Sequence, residues 1–221
     1  GLPPGKGQKA DLVSAYDMAL LSRALITRYP QLLAWTGTSE ETFRNGSFGM
    51  RNHNALVRTY QGCDGLKTGY YGQAGFCVAA TAQRKGTRMI AVTMGCERRV
   101  ERDAETARLL SLGFSQYKSL KLLQAGAPAG ESVAVSGGEK GEVIPIAAAD
   151  LSAVVKVSEK EKPRQKNLLC SGLKAPVAKG TSCGAIAFYS GDKEVGRVAA
   201  IIDQDIAKVG MMGRVKRFFT E

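Results

Sequence analysis

The residues best equipped for chemistry lie in the run Asp64-Gly65-Leu66-Lys67-Thr68-Gly69. Lys67 brings an ammonium that can stabilise developing negative charge and tune proton transfer through neighbouring hydroxyls, of which Thr68 supplies one. Gly69 removes a side chain where a second backbone must come close. On a strand, the same run offers an edge along which an extended peptide can pair. The single histidine, His53, stands between Asn52 and Asn54 and reads as a rim or structural residue rather than a general base. Five cysteines are scattered as Cys63, Cys77, Cys96, Cys170 and Cys183. With no Cys-x-x-Cys pair and one histidine, a Cys/His zinc cluster of ordinary spacing is excluded. Cys77 and Cys96 read as small core residues, and a bridge between Cys170 and Cys183 is left open by their spacing.

The elements that must position these groups follow from pattern. Ser14 with Asp17 three residues on makes a capping box. Met18, Leu21 and Leu25 then recur at helical spacing until Pro30. Residues 31–55 read as irregular, with Asn45-Gly46 as a turn. Three strands are expected at 65–71, 76–82 and 88–94, the last two joined as a hairpin through Lys85-Gly86-Thr87. A helix over 100–112 carries Glu101, Asp103 and Glu105 in its first turn, and Gly113 is expected to stop it.

Beyond Tyr117 short β-like runs recur at 132–135, 142–146, 151–157, 185–189 and 195–202, with Ser190-Gly191-Asp192-Lys193 as a turn. They predict a small all-β sandwich. Glu159-Lys160-Glu161-Lys162-Pro163-Arg164 reads as a solvated connection. In the tail, Met211, Met212, Val215, Phe218 and Phe219 share a helical stripe, with Lys208, Arg214, Lys216 and Arg217 as cations. Such a helix suits an anionic membrane surface or docks on its own protein. The predicted organisation is therefore a first domain over 1–116, an all-β domain over 117–206 and an amphipathic tail over 207–221.

The net charge is +11, from 31 basic and 20 acidic residues. That balance favours anionic partners such as nucleic acid, lipid headgroups or an acidic wall polymer. Aromatic residues sit singly rather than interleaved in a basic stripe, which argues against nucleic acid. No apolar run reaches 18 residues, so no helix-length membrane span is expected. The chain opens Gly1-Leu2-Pro3-Pro4 without an initiator methionine or an apolar signal core, and the expectation is that an upstream segment has been removed.

The run 64–69, together with Ser14-Ala15-Tyr16-Asp17-Met18-Ala19, Asn52-His53-Asn54-Ala55-Leu56, Ala74-Gly75-Phe76, Val92-Thr93-Met94-Gly95 and Leu173-Lys174-Ala175-Pro176-Val177, resembles the D-alanyl-D-alanine carboxypeptidases, the low-molecular-mass penicillin-binding proteins. The resemblance spans nearly the whole chain in order. It implies an α+β, β-lactamase/transpeptidase-like antiparallel sheet with helices, incomplete at its N-terminus, followed by the all-β domain. Of the family's three signatures, Ser-x-x-Lys, Ser-x-Asn and Lys-Thr-Gly, only the third matches in place. Ser-x-Asn is absent, and the Ser-x-x-Lys matches at Ser115/Lys118, Ser171/Lys174 and Ser190/Lys193 all follow Lys67, whereas the family's nucleophile precedes it. The resemblance implies catalytic roles for Lys67, Thr68 and Gly69 and substrate contacts from Lys67, Thr68, Tyr71, Arg102 and the rim residue His53. Thr68 and Arg102 would take the substrate carboxylate and the Tyr71 amide the oxyanion. It implies a serine acyl-enzyme reaction on peptidoglycan stem peptides ending in D-Ala-D-Ala, acylation by β-lactams, no metal or organic cofactor, and a periplasmic or extracellular location. A catalytically inactive peptidoglycan-binding or scaffolding fragment is the alternative.

Overall fold

A computed structural model describes residue 5, residues 7–158 and residues 162–210. It divides into two compact units, Gly1–Lys118 and Ser119–Glu221.

The first unit opens with helix α1 (Ala15–Arg28). Its capping box forms as expected: Asp17 N donates to Ser14 Oγ at 3.1 Å, and Ser14 N donates back to Asp17 Oδ2 at 3.1 Å. The apolar stripe, however, does not all face inward. Ser22 and Ile26 are buried, whereas Leu21 is 60% exposed. The region expected to be irregular holds short elements: α2 (Leu32–Thr36), the hairpin β1 (Glu40–Phe43) and β2 (Phe48–Arg51), and α3 (Leu56–Thr59). Asn45-Gly46 does lie in the β1–β2 turn, where Arg44, Asn45 and Gly46 all take positive φ.

The central sheet contains β3 (Cys63–Tyr71), β4 (Gly75–Arg84) and β5 (Thr87–Cys96), antiparallel in the order β3-β4-β5. Lys85 and Gly86, with φ of 48° and 75°, make the two-residue turn between β4 and β5, the geometry that matches strand twist. Alternation along β4 sends Val78, Ala80 and Ala82 into a core with Leu56, Cys63, Ala91 and Leu110. Leu110 belongs to α4 (Arg99–Gln116), the helix that covers this face.

Gly113 does not stop α4; the helix runs on to Gln116. A Cβ at Gly113 would lie 3.1 Å from Met89 Sδ, so the glycine is used here for close packing of helix on strand. Cys77 and Cys96 are only half-buried, and the core thiol is Cys63, 8% exposed. Desolvation pushes the Cys63 thiol pKa up.

The second unit is all β. Its strands are β6 (Tyr117–Leu123), β7 (Val133–Ser136), β8 (Glu142–Val143), β9 (Ile146–Ala147), β10 (Leu151–Lys156), β11 (Arg164–Leu169), β12 (Leu173–Lys174), β13 (Ser182–Ser190) and β14 (Lys193–Ile201). They form sheets ordered β11-β13-β14-β9, β12-β7-β8 and β10-β6. One core gathers Val133, Val135, Val177, Ile202 and Ile206, and another Ile186, Phe188, Val198 and Ala200. Pro145 splits the predicted 142–146 strand into β8 and β9, because it cannot donate to a ladder. Arg164 begins a strand rather than ending a loop. Cys170 and Cys183 are bridged, with Cα atoms 5.2 Å apart.

Of the predicted tail helix, residues 207–210 are not helical, and Lys208 makes a β-bridge to Gly138. Residues 211–221 and 159–161 lie outside the described residues.

Candidate active site

The motif strand β3 is the outermost strand of its sheet, and two buried or half-buried side chains anchor its first half. Thr36 Oγ1 donates to Asp64 O at 2.7 Å, and Asn54 Nδ2 donates to Gly65 O at 2.9 Å. Asn54 is 2% exposed and also accepts from Leu56 N at 3.3 Å, while Asn52 Oδ1 accepts from Asn54 N at 2.9 Å. The Asn-His-Asn segment is thus a clip holding its loop on the motif strand. His53 sits exposed on that clip. Asp64 itself turns to Arg88 on β5, a paired contact of 2.8 Å to each carboxylate oxygen, with both side chains about three-quarters buried.

Past this anchored stretch the strand is open. Lys67 is exposed, and its Nζ donates to the neighbouring Thr68 carbonyl. Thr68 is half-buried. Gly69 pairs with Cys77 of β4, and a Cβ built on Gly69 would meet nothing within 4 Å. Glycine is not required there by the folded chain, so the clearance it leaves is available to something outside it.

Lys67, Thr68 and Gly69 together line a pocket of about 210 Å³. Its other walls are apolar, with Met18 from α1, Cys77 and Ala79 from β4, and Met94 from β5. The pattern that places Met18 there is the helical spacing after the capping box. Cys77 and Met94 are contributions that the sequence reading missed, and only strand alternation next to the motif could have found them. A cation and a hydroxyl beside an apolar slot can orient a small anionic ligand and exclude water from its far side.

Tyr71 ends β3, half-buried, its carbonyl accepting from Ala74 N at 3.0 Å where the turn to β4 begins. The neighbouring Tyr70 stacks on Phe76 at 4.2 Å. Arg102, in contrast, is 2% exposed within the first turns of α4 and holds Asp103 Oδ1 through Nε at 2.9 Å and Nη2 at 2.6 Å. The pocket is walled by α1, the segment before it and the sheet; Arg102 is not among its lining residues. Ser115 donates to Leu112 O within the last turns of α4, and Ser171 and Ser190 belong to the second unit. Among the described residues no cluster of three or more His, Cys, Asp or Glu side chains could hold a metal ion, and no helix is long and apolar enough to cross a membrane.

Comparison with known proteins finds a match in each unit. Residues 3–98 match the D-alanyl-D-alanine carboxypeptidase family model, and residues 117–208 match the model for the C-terminal domain of penicillin-binding protein 5. The D-alanyl-D-alanine carboxypeptidase DacF of Bacillus subtilis is 29% identical over 219 residues, covering 97% of this chain and 56% of the relative. Among solved structures, a peptidoglycan synthesis regulatory factor (PBP3) from Streptococcus pneumoniae superposes with a TM-score of 0.74 at 26% identity, covering 92% of this chain and 60% of the other. Penicillin-binding protein 5 from Haemophilus influenzae gives 0.67 at 27% identity, covering 88% and 57%. The chain spans about half the length of the curated relatives it matches.

Proposed function

The chain belongs to the D-alanyl-D-alanine carboxypeptidase family, and from that premise we propose that its first unit is the substrate-gripping part of a serine-type D-Ala-D-Ala carboxypeptidase acting on peptidoglycan stem peptides. The observation that carries this reading is the open stretch Lys67-Thr68-Gly69 on the outermost strand, lining an apolar pocket with unfilled space at Gly69.

The stem peptide lies along the β3 edge, and Thr68 Oγ1 takes its terminal carboxylate. A serine oxygen attacks the carbonyl of the penultimate D-alanine. The Tyr71 amide lies on the same side as its carbonyl, towards β4, and holds the oxyanion only by leaving that pairing, while the Lys67 ammonium lowers the cost of the charge. The peptide C–N bond then breaks, D-alanine leaves with the serine's proton, and water hydrolyses the ester to regenerate the serine. Arg102 joins the carboxylate only by exchanging Asp103 for it, since the two are now ion-paired.

The attacking serine comes from a Ser-x-x-Lys segment other than the three in these residues. Exposed apolar side chains on the first unit, including Leu12 at 96% and Leu21 at 60%, support a face against which such a segment packs. The reaction takes place outside the cytoplasmic membrane, with residues 207–221 as a peripheral contact to it.

Fluorescent penicillin labelling of a polypeptide that includes the Ser-x-x-Lys segment tests the proposal. Lys67→Ala should slow acylation by ~10²-fold or more, the scale of losing one preorganised charge-stabilising group. Gly69→Ala should fold normally yet also slow it. Labelling at the wild-type rate in both variants, or none in the parent, overturns the reading.

A further inference from the structure

A second concave site lies on the all-β unit, far in sequence from the Lys-Thr-Gly strand. We infer that it binds a phosphodiester-linked polyol chain. The groove, about 490 Å³, is lined by Arg164, Gln165, Lys166, Tyr189, Gly191 and Asp192. β11 is the outermost strand of its sheet, and Arg164 and Lys166 stand two residues apart on it, so they project to the same side. Their Cα atoms are roughly 6.6 Å apart at ~3.3 Å per residue, a spacing for successive anionic groups along a chain rather than for one ion.

Across the sheet, Arg164 pairs with Tyr189, which lines the groove with it, and Lys166 pairs with the buried Ala187. The nearby acid Glu194 is already occupied: Arg197 holds it at 3.0 and 2.8 Å, and Tyr189 Oη donates to it at 2.9 Å. Among the described residues, neither Arg164 nor Lys166 has an ion-pair partner, and Asp192 is the groove's one acid. Gln165 is committed to Ala129 O and Asn167 Oδ1, each at 2.9 Å, which fixes the strand rather than the ligand.

A nucleic acid would need exposed aromatic faces on which its bases stack. The groove offers one half-buried tyrosine whose hydroxyl is tied down, so a phosphodiester chain without bases fits better.

The test uses the whole 221-residue chain and fluorescence anisotropy with a glycerol-phosphate oligomer and a thymidine oligonucleotide, at 50 and 200 mM salt. Each phosphate contact contributes a salt slope of about −0.7 for a single-stranded polyanion. Losing two contacts in Arg164→Gln/Lys166→Gln should therefore remove roughly sevenfold of the affinity change across that salt range. Asp192→Asn should tighten binding. The charge-matched pair Lys156→Gln/Lys179→Gln, on exposed sites elsewhere in the unit, should leave the slope within error. Equal losses in both pairs, tighter binding of the oligonucleotide, or no measurable binding of the oligomer at 50 mM salt overturns the inference. So does a β11 variant that aggregates at unchanged affinity, since its cations would then serve only to guard a strand edge.

Discussion

Replacing Asn54 by alanine should loosen the motif strand without touching the reactive groups. Its side chain is 2% exposed and makes two hydrogen bonds, to Gly65 O at 2.9 Å and from Leu56 N at 3.3 Å. A buried group stripped of its partner costs about 1–3 kcal/mol. The longer bond to Leu56 adds little, so a loss near 2 kcal/mol is expected. For a unit of this size, 1 kcal/mol moves the midpoint by roughly 4 °C, giving a fall of about 8 °C. The assay is specific to the unit, because the chain has one tryptophan and it is Trp35, at the end of α2 beside Thr36. Thermal unfolding followed by its fluorescence reports the first unit, while far-UV circular dichroism follows both. The expected result is an earlier Trp35 transition with the β-unit transition unmoved. An unchanged Trp35 midpoint would show that the Asn-His-Asn clip does not hold β3, and an equal shift in both transitions would show that the units unfold as one.

Three further outcomes are expected. Asp17 has its carboxyl pKa lowered by hydrogen bonds from Ser14, so its support of α1 is present above the unfolded value of 3.8 and lost as pH falls through the lower folded value; Asp17→Asn should destabilise the chain at pH 7 and match wild type at pH 2, measured by urea unfolding. Burial raises the Cys63 pKa, so alkylation by iodoacetamide at pH 8, read by mass spectrometry, should label Cys77 before Cys63; the reverse order would place Cys63 at the surface. Removing the Cys170–Cys183 bridge, which closes a separation of 13 residues, should cost the second unit about 3 kcal/mol by loop entropy, seen as a lower denaturant midpoint for that transition alone.

What the sequence disclosed and what it hid divide along physical lines. The Ser14–Asp17 box, the Lys85-Gly86 turn and the apolar run of β4 are local signals, and each formed where expected. Strands β11 and β6 escaped notice because their polar residues break simple alternation, and their pairing depends on neighbours distant in sequence. Gly113 was misread for the same reason. A glycine near a helix end usually caps it, and only the position of Met89 on another element explains its place inside α4. Arg102 shows the limit most clearly: the family resemblance implies a ligand contact, but nothing local says that it is buried against Asp103. In the pocket, Lys67, Thr68 and Gly69 were legible as a motif, whereas Met18, Cys77 and Met94 join them only through packing of α1 on the sheet.

The outermost position of β3 has a cost as well as a use. A strand that offers its backbone to a visiting peptide offers it equally to another copy of itself, and unguarded margins of this kind seed fibrils. Here the residues of the open stretch also act as deterrents: an exposed lysine repels its own image in a stacked pair, and Gly69 weakens any long continuous ladder. The sequence that admits one brief guest thereby disfavours permanent ones, and neutralising Lys67 should raise the tendency of the chain to self-associate.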